Sequence, residues 1–138
     1  LGQYAFHLET ALRYPFYRPP ALRVRVDGTD WRTGAYLLCA NIRRYGGNLF
    51  FAPAARPDDG LIDLVLFERL SLRPLLKGLW GARTGRGPPP DAASRTTGRQ
   101  IEIECAEPVG VQLDGEVLPA VTRAVVEAGH ADLAMVVP

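Results

Sequence analysis

Apolar residues recur along this chain at every second position in short runs, each closed by Gly, Pro or an Asp-Gly pair. That pattern leaves few architectures open. Leu22, Val24 and Val26 alternate with Arg23 and Arg25 up to Asp27-Gly28, and an extended apolar run resumes over residues 31–42. Strand side chains alternate between faces, so each run buries one face, and two runs around an Asp-Gly pair predict a hairpin. A Gly46-Gly47-Asn48 turn leads into a strand over 49–52, residues 53–60 read as a connecting loop, and 61–67 form the next strand. Further strands are expected over 100–105, 109–113, 124–128 and 133–137, with a turn at Asp114-Gly115. Many short strands at close spacing predict a mainly β fold, a two-sheet β-sandwich with one or two short helices.

Two segments leave the period of two. Tyr4, Leu8, Ala11 and Leu12 recur at helical spacing until Pro15 stops them. Ser71 can cap a second helix in which Leu72, Leu75, Leu76, Leu79 and Trp80 form one apolar stripe. Pro74 falls in its first turn, where a missing N–H is harmless. Such a stripe is expected to lie on a sheet. Residues 83–99 then shift to Gly, Pro, Ser, Thr and Arg, and Pro88-Pro89-Pro90 suits neither helix nor central strand, so a mobile loop is expected.

With 138 residues, 47% of them hydrophobic, the chain can bury one real core. Lysine and arginine number 16 against 15 aspartates and glutamates, so global charge recruits neither nucleic acid nor a membrane surface. No nucleic-acid partner is expected, and an anionic partner must be met locally. Cys39 and Cys105 sit inside apolar alternating runs, where they read as small buried hydrophobes and not as a disulfide or metal ligands. A cytoplasmic location fits that usage. No run approaches the roughly 18 apolar residues of a membrane span, and no signal peptide is visible. The chain opens at Leu1-Gly2 inside an expected helix, so it reads as part of a longer protein.

Three segments, in order, resemble the C-terminal domain of the bacterial diacylglycerol kinases, the YegS-like lipid kinase family, and of their sphingosine and ceramide kinase relatives. Ala40-Asn41 followed by Tyr45-Gly46-Gly47-Asn48 is similar to that family's Asn, then Tyr-Gly-Gly-Gly, then strand. Ala52-Pro53-Ala54-Ala55 running into Asp58-Asp59-Gly60-Leu61-Ile62-Asp63-Leu64 is similar to its Pro-x-Ala and Asp-Gly-x-Leu-Asp segments. Leu113-Asp114-Gly115-Glu116 is similar to its Asp-Gly-Glu turn, ahead of an apolar strand ending Val137-Pro138. Asn48 stands where the family has a third glycine, a replacement that a left-handed backbone position would tolerate. Residues 83–99 lack the Gly-x-His that the family often carries there. Asp27-Gly28-Thr29 matches the tail of the family's Gly-Gly-Asp-Gly-Thr nucleotide motif. A phosphate cradle, however, needs consecutive free amides beside a helix start, and here Arg25 and Val26 precede within an alternating strand. That segment therefore reads as a hairpin turn.

The resemblance implies that residues 1–138 are the single β-rich C-terminal domain of an ATP-dependent lipid kinase. ATP, the co-substrate, would be held by an N-terminal domain absent from this chain, and the fragment alone would be inactive. It implies Glu116 as the acceptor of the proton from the hydroxyl of diacylglycerol or a related lipid, with Asp114 stabilising the turn or ordering water. It implies Mg²⁺ held by the Asp59 side chain and the backbone carbonyls of Arg56 and Leu61. One carboxylate, carbonyls and retained waters form an oxygen shell that Mg²⁺ accepts. Implied partners are the lipid substrate and the ATP-binding domain, with peripheral membrane contact and a homo-oligomer left open. Arginines 43, 44, 83, 86, 95 and 99 lie in or beside loops, where they could meet anionic head groups or phosphate if the fold gathers them. His7 and His130 have no ligand cluster near them in sequence and carry no role. Two alternatives stand beside this reading: a sphingosine, ceramide or NAD kinase domain of similar build, and a free-standing β-sandwich that binds without chemistry.

Overall fold

The computed structural model describes residues 20–114 and 116–129. Along the chain run β1 (Leu22–Val26), β2 (Arg32–Gly34), β3 (Tyr36–Ala40), β4 (Ile62–Phe67), helix α1 (Leu72–Arg83), β5 (Ser94–Gly98), β6 (Gln100–Leu113) and β7 (Glu116–Glu127). They build two antiparallel sheets, one in the order β2-β1-β6-β7 and one in the order β3-β4-β5. The mainly β two-sheet fold expected from the alternation is therefore what forms.

The core lies between the sheets. Leu22, Val24 and Val26 of β1 meet Ile62, Leu64 and Leu66 of β4 and Ile101 of β6, with Leu37, Cys39, Ile103, Cys105 and Val126 packed around them. Both cysteines are free and act as small apolar groups, and burial pushes the Cys39 thiol up to about 11. On the outer face of the larger sheet, the register sets Arg25 opposite Glu102 and Arg23 opposite Glu104. Arg25 donates two hydrogen bonds to Glu102, at 2.7 and 2.9 Å, and Arg23 one to Glu104 at 2.6 Å. Both guanidinium groups stack over Trp31. Hydrogen bonding from Arg25 holds the Glu102 carboxyl below its usual range.

The chain changes sheet at two glycines. The run expected as one strand over 31–42 is split at Ala35, whose N–H donates to the Phe67 carbonyl at 2.9 Å, so β2 stays in the larger sheet and β3 enters the smaller. A Cβ at the buried Gly34 would overlap Leu66. At the return crossing from β5 to β6, a Cβ on Gly98 would overlap Val26. Side chains cannot be accommodated where two sheets converge on one backbone.

Several expectations are corrected. Residues 49–52 form no strand: Tyr45 and Leu49 make an isolated bridge, and the Phe50 N–H donates to the Ala82 carbonyl at 2.9 Å, tying this segment to the end of α1. The left-handed positions of the preceding turn are Gly46 and Gly47, not Asn48. The stretch 83–99 is largely built in, because β5 pairs with β4 along its length, Pro88 is fully buried, and Ala92 and Ala93 are buried too. Ser71 does sit at the N-cap in extended conformation, but its side chain makes no capping bond. Of the expected stripe, Leu72, Leu76, Leu79 and Trp80 are exposed instead of lying on a sheet, and Leu75 is half-buried. The buried residues of α1 are Gly78, Gly81 and Ala82, and the two glycines let the helix close on the Phe67 ring and on Gly87-Pro88. The strands expected at 100–105 and 109–113 are one strand, β6, bulged between Glu104 and Val111, and β7 begins at Glu116, ahead of the expected 124–128. Pro108, which falls between the two expected strands, and Gly110, inside the second, both lie where the register shifts. The expected first helix and the strand at 133–137 lie outside the described residues.

Candidate functional site

Strands β6 and β7 behave differently at their two ends. From Gln100 to Cys105, β6 is held on one side by β1 and on the other by β7, with the last β1 pair at Leu22 and Cys105. Beyond Cys105, β7 is the only partner among the described residues, and the two strands run on as a ribbon to Leu113 and Glu116, which face each other at its tip. Asp114 makes the turn with φ of 48°, the same left-handed value as Asp27 in the β1–β2 turn. Asp114 and Glu116 are both exposed. Large apolar side chains on the ribbon are exposed with them: Val117 at 83%, Leu113 at 61% and Leu118 at 38%. An isolated two-stranded hairpin is marginal in water, so a ribbon of this kind gains stability from a surface laid against it.

The expected metal loop is elsewhere. One oxygen of Asp59 accepts the N–H of Leu61 at 2.9 Å, shaping the turn through Gly60, whose φ is 66°. Asp58 is forked by Arg56 at 3.3 Å, and that contact holds its carboxyl below the usual range. Sequence reading missed this pair, although the spacing of two within a loop was its signal. Asp58, Asp59 and Gly60 line a surface depression with Pro57, Arg99, Ala128 and Gly129. By type, the second Asp59 oxygen and the carbonyls of Arg56 and Leu61 are hard-oxygen donors, the chemistry that a divalent cation such as Mg²⁺ takes. No group of three or more His, Cys, Asp or Glu gathers among the described residues.

Glu116 and Asp59 are not brought together. Ala128 and Gly129 follow directly on the far end of β7, whereas Glu116 is its first residue. At about 3.3 Å per residue, the 12 residues of β7 separate the two places by roughly 35 Å along the strand. Of the loop arginines, Arg99 lines the Asp59 depression and Arg44 stacks on Phe50. The Asp27 segment is a hairpin turn, as expected: its carboxylate accepts the N–H groups of Arg99 and Gln100 at 2.9 and 2.8 Å, and Thr29 closes back on Val26. No helix among the described residues is long and apolar enough to cross a membrane.

Comparison with known proteins gives a consistent result. The family model for the YegS C-terminal NAD kinase beta sandwich-like domain matches residues 1–137. A diacylglycerol kinase of Mycobacterium tuberculosis is 29% identical over 129 residues, covering 90% of this chain and 41% of that protein. One from Bacillus subtilis is 24% identical over 117 residues, covering 84% of this chain and 39% of its own. The crystal structure of a Bacillus anthracis diacylglycerol kinase superposes with a TM-score of 0.64 at 18% identity, over 86% of this chain and 41% of that one. A second, putative diacylglycerol kinase from the same organism gives 0.60 over 89% and 44%. The chain thus spans about two fifths of the relatives it matches.

Proposed function

This chain belongs to the YegS C-terminal NAD kinase beta sandwich-like domain family, and from that premise we propose that it is the substrate-side domain of an ATP-dependent lipid kinase acting on diacylglycerol or a close relative. The named relatives are diacylglycerol kinases, and the chain corresponds to the smaller part of each. The observation that carries the reading is the ribbon tip. Glu116 stands exposed at the end of a two-stranded arm whose apolar side chains are also exposed, which suits an arm that meets a second domain bearing ATP.

In the proposed chemistry the lipid hydroxyl oxygen attacks the γ-phosphorus of ATP, the bond to the bridging oxygen breaks, and ADP leaves. The Glu116 carboxylate accepts the hydroxyl proton as the new oxygen–phosphorus bond forms. Asp114, in the turn beside it, fixes the approach of Glu116 and orders water near the phosphate. Asp59, with the carbonyls of Arg56 and Leu61, would hold Mg²⁺. Bound there, the ion would supply local charge neutralisation and fix the loop against the other domain, far from the proton transfer. ATP itself would be cradled by that other domain, so this chain alone is expected to be inactive. The protein would work in the cytoplasm, at the membrane surface where its substrate lies.

The test is phosphoryl transfer from ATP to diacylglycerol, sphingosine, ceramide and NAD by the protein together with its ATP-binding domain. Transfer to diacylglycerol that falls by about 10²-fold or more in Glu116→Gln supports the reading. Transfer to NAD alone, or to none of the four, would contradict it.

A further inference from the structure

The outward face of α1 is an apolar surface that neither the core nor the proposed chemistry uses. Leu72, Leu76, Leu79 and Trp80 are 61%, 56%, 39% and 72% exposed on one side of the helix, opposite the buried Gly78, Gly81 and Ala82. Helical spacing puts Arg73 and Lys77 on the shoulder of that stripe and Arg83 within it at the last turn. Residues 69–87 contain Arg69, Arg73, Lys77, Arg83 and Arg86 and no aspartate or glutamate. Among the described residues, Lys77 is the one cation of this region in an ion pair, with Asp91, whose carboxyl Arg73 also helps to hold below its usual range.

We propose that α1 is the surface on which this domain docks on an anionic lipid bilayer. A bilayer suits both halves of the pattern. Leucine and tryptophan enter the boundary between head groups and acyl chains, where tryptophan is favoured, while the guanidinium groups remain among the phosphates. Lipid phosphates supply the negative charge that residues 69–87 lack. A second copy of the helix would instead set like charges against each other. The proposal rests on the lipid-kinase reading for the identity of the partner as a bilayer, and it assigns the docking to one helix.

The test is co-sedimentation of the protein with vesicles of phosphatidylglycerol and phosphatidylcholine in equal parts, against pure phosphatidylcholine. Wild type should sediment with the anionic vesicles and lose that binding as salt is raised. Leu76→Asp with Trp80→Asp should weaken binding at least tenfold, and Arg73→Gln with Arg83→Gln about fivefold per charge. All four side chains are exposed, so far-ultraviolet dichroism and the thermal midpoint should be unchanged; the arginine pair tests the docking independently if the first pair fails to fold. Equal sedimentation of wild type and both variants, or no preference for anionic vesicles, would overturn the proposal. So would a change from dimer to monomer in the Trp80 variant, which would make the face an interface between copies. The kinase reading is separable: vesicle binding that follows α1 while no lipid is phosphorylated upholds docking and sinks the kinase. Phosphorylation of a monomeric short-chain diacylglycerol with no vesicle binding does the reverse.

Discussion

Two aspartates of Asp-Gly pairs share one backbone φ and sit in very different surroundings. Asp27 and Asp114 both adopt φ of 48°. The Asp27 carboxylate is engaged by two backbone N–H groups where the chain crosses from β5 into β6, so the turn fastens two sheets together. Asp114 lies at the end of a ribbon that has left the third strand behind at Cys105, and it is exposed beside Glu116. A carboxylate tied into the frame stabilises; one held away from it is left exposed to solvent. The same contrast divides β6 and β7 between a packed base and an open arm.

The contrast can be broken most forcefully in the core. Leu66→Ala removes a side chain with no exposure and is expected to cost about 2–5 kcal/mol, whereas Val117→Ala on the ribbon should stay within about 0.5 kcal/mol. Chemical denaturation of both variants measures this, and comparable losses would erase the distinction. Next come the turns themselves. Asp27→Ala leaves two backbone donors without their acceptor and should cost about 1–2 kcal/mol, while Asp114→Ala should change stability by no more than about 0.5 kcal/mol.

The smallest effect concerns pH. Arg25 depresses the Glu102 carboxyl in the folded protein, so the unfolded chain takes up its proton first as pH falls. The pair's contribution is therefore full above the ordinary glutamate range and vanishes as pH drops through the lower folded value. Wild type should exceed Glu102→Gln in stability at pH 7, and the gap should close below about pH 4. Urea titrations at several pH values measure the gap; a constant gap would mean the pair is held by shape and not by charge.

Much of the base was legible in the chain. The alternation of Leu22, Val24 and Val26 fixes which face of β1 is buried, and Asp27-Gly28 announces the turn that follows. What periodicity could not disclose was the orientation of α1. It finds the apolar face of a helix, but the face that packs is the one that can come closest, and Gly78 and Gly81 allow backbone contact that leucines would prevent. β5 was hidden for another reason. Ser94, Arg95, Thr96 and Thr97 carry no apolar alternation; the strand is held by backbone pairing to β4 and by Arg32, which donates to Ser94 and to Thr96. Glu116 and Asp59 were both singled out through the resemblance of their turn segments. That they stand at opposite ends of β7 follows only from the register.

Turnover by Glu116→Gln tests most directly whether the tip serves function and not stability. With the ATP-binding domain present, transfer of phosphate to diacylglycerol should fall by about 10²-fold or more while the thermal midpoint stays within about 2 °C of wild type. Near-normal turnover at an unchanged midpoint would contradict the role assigned to Glu116.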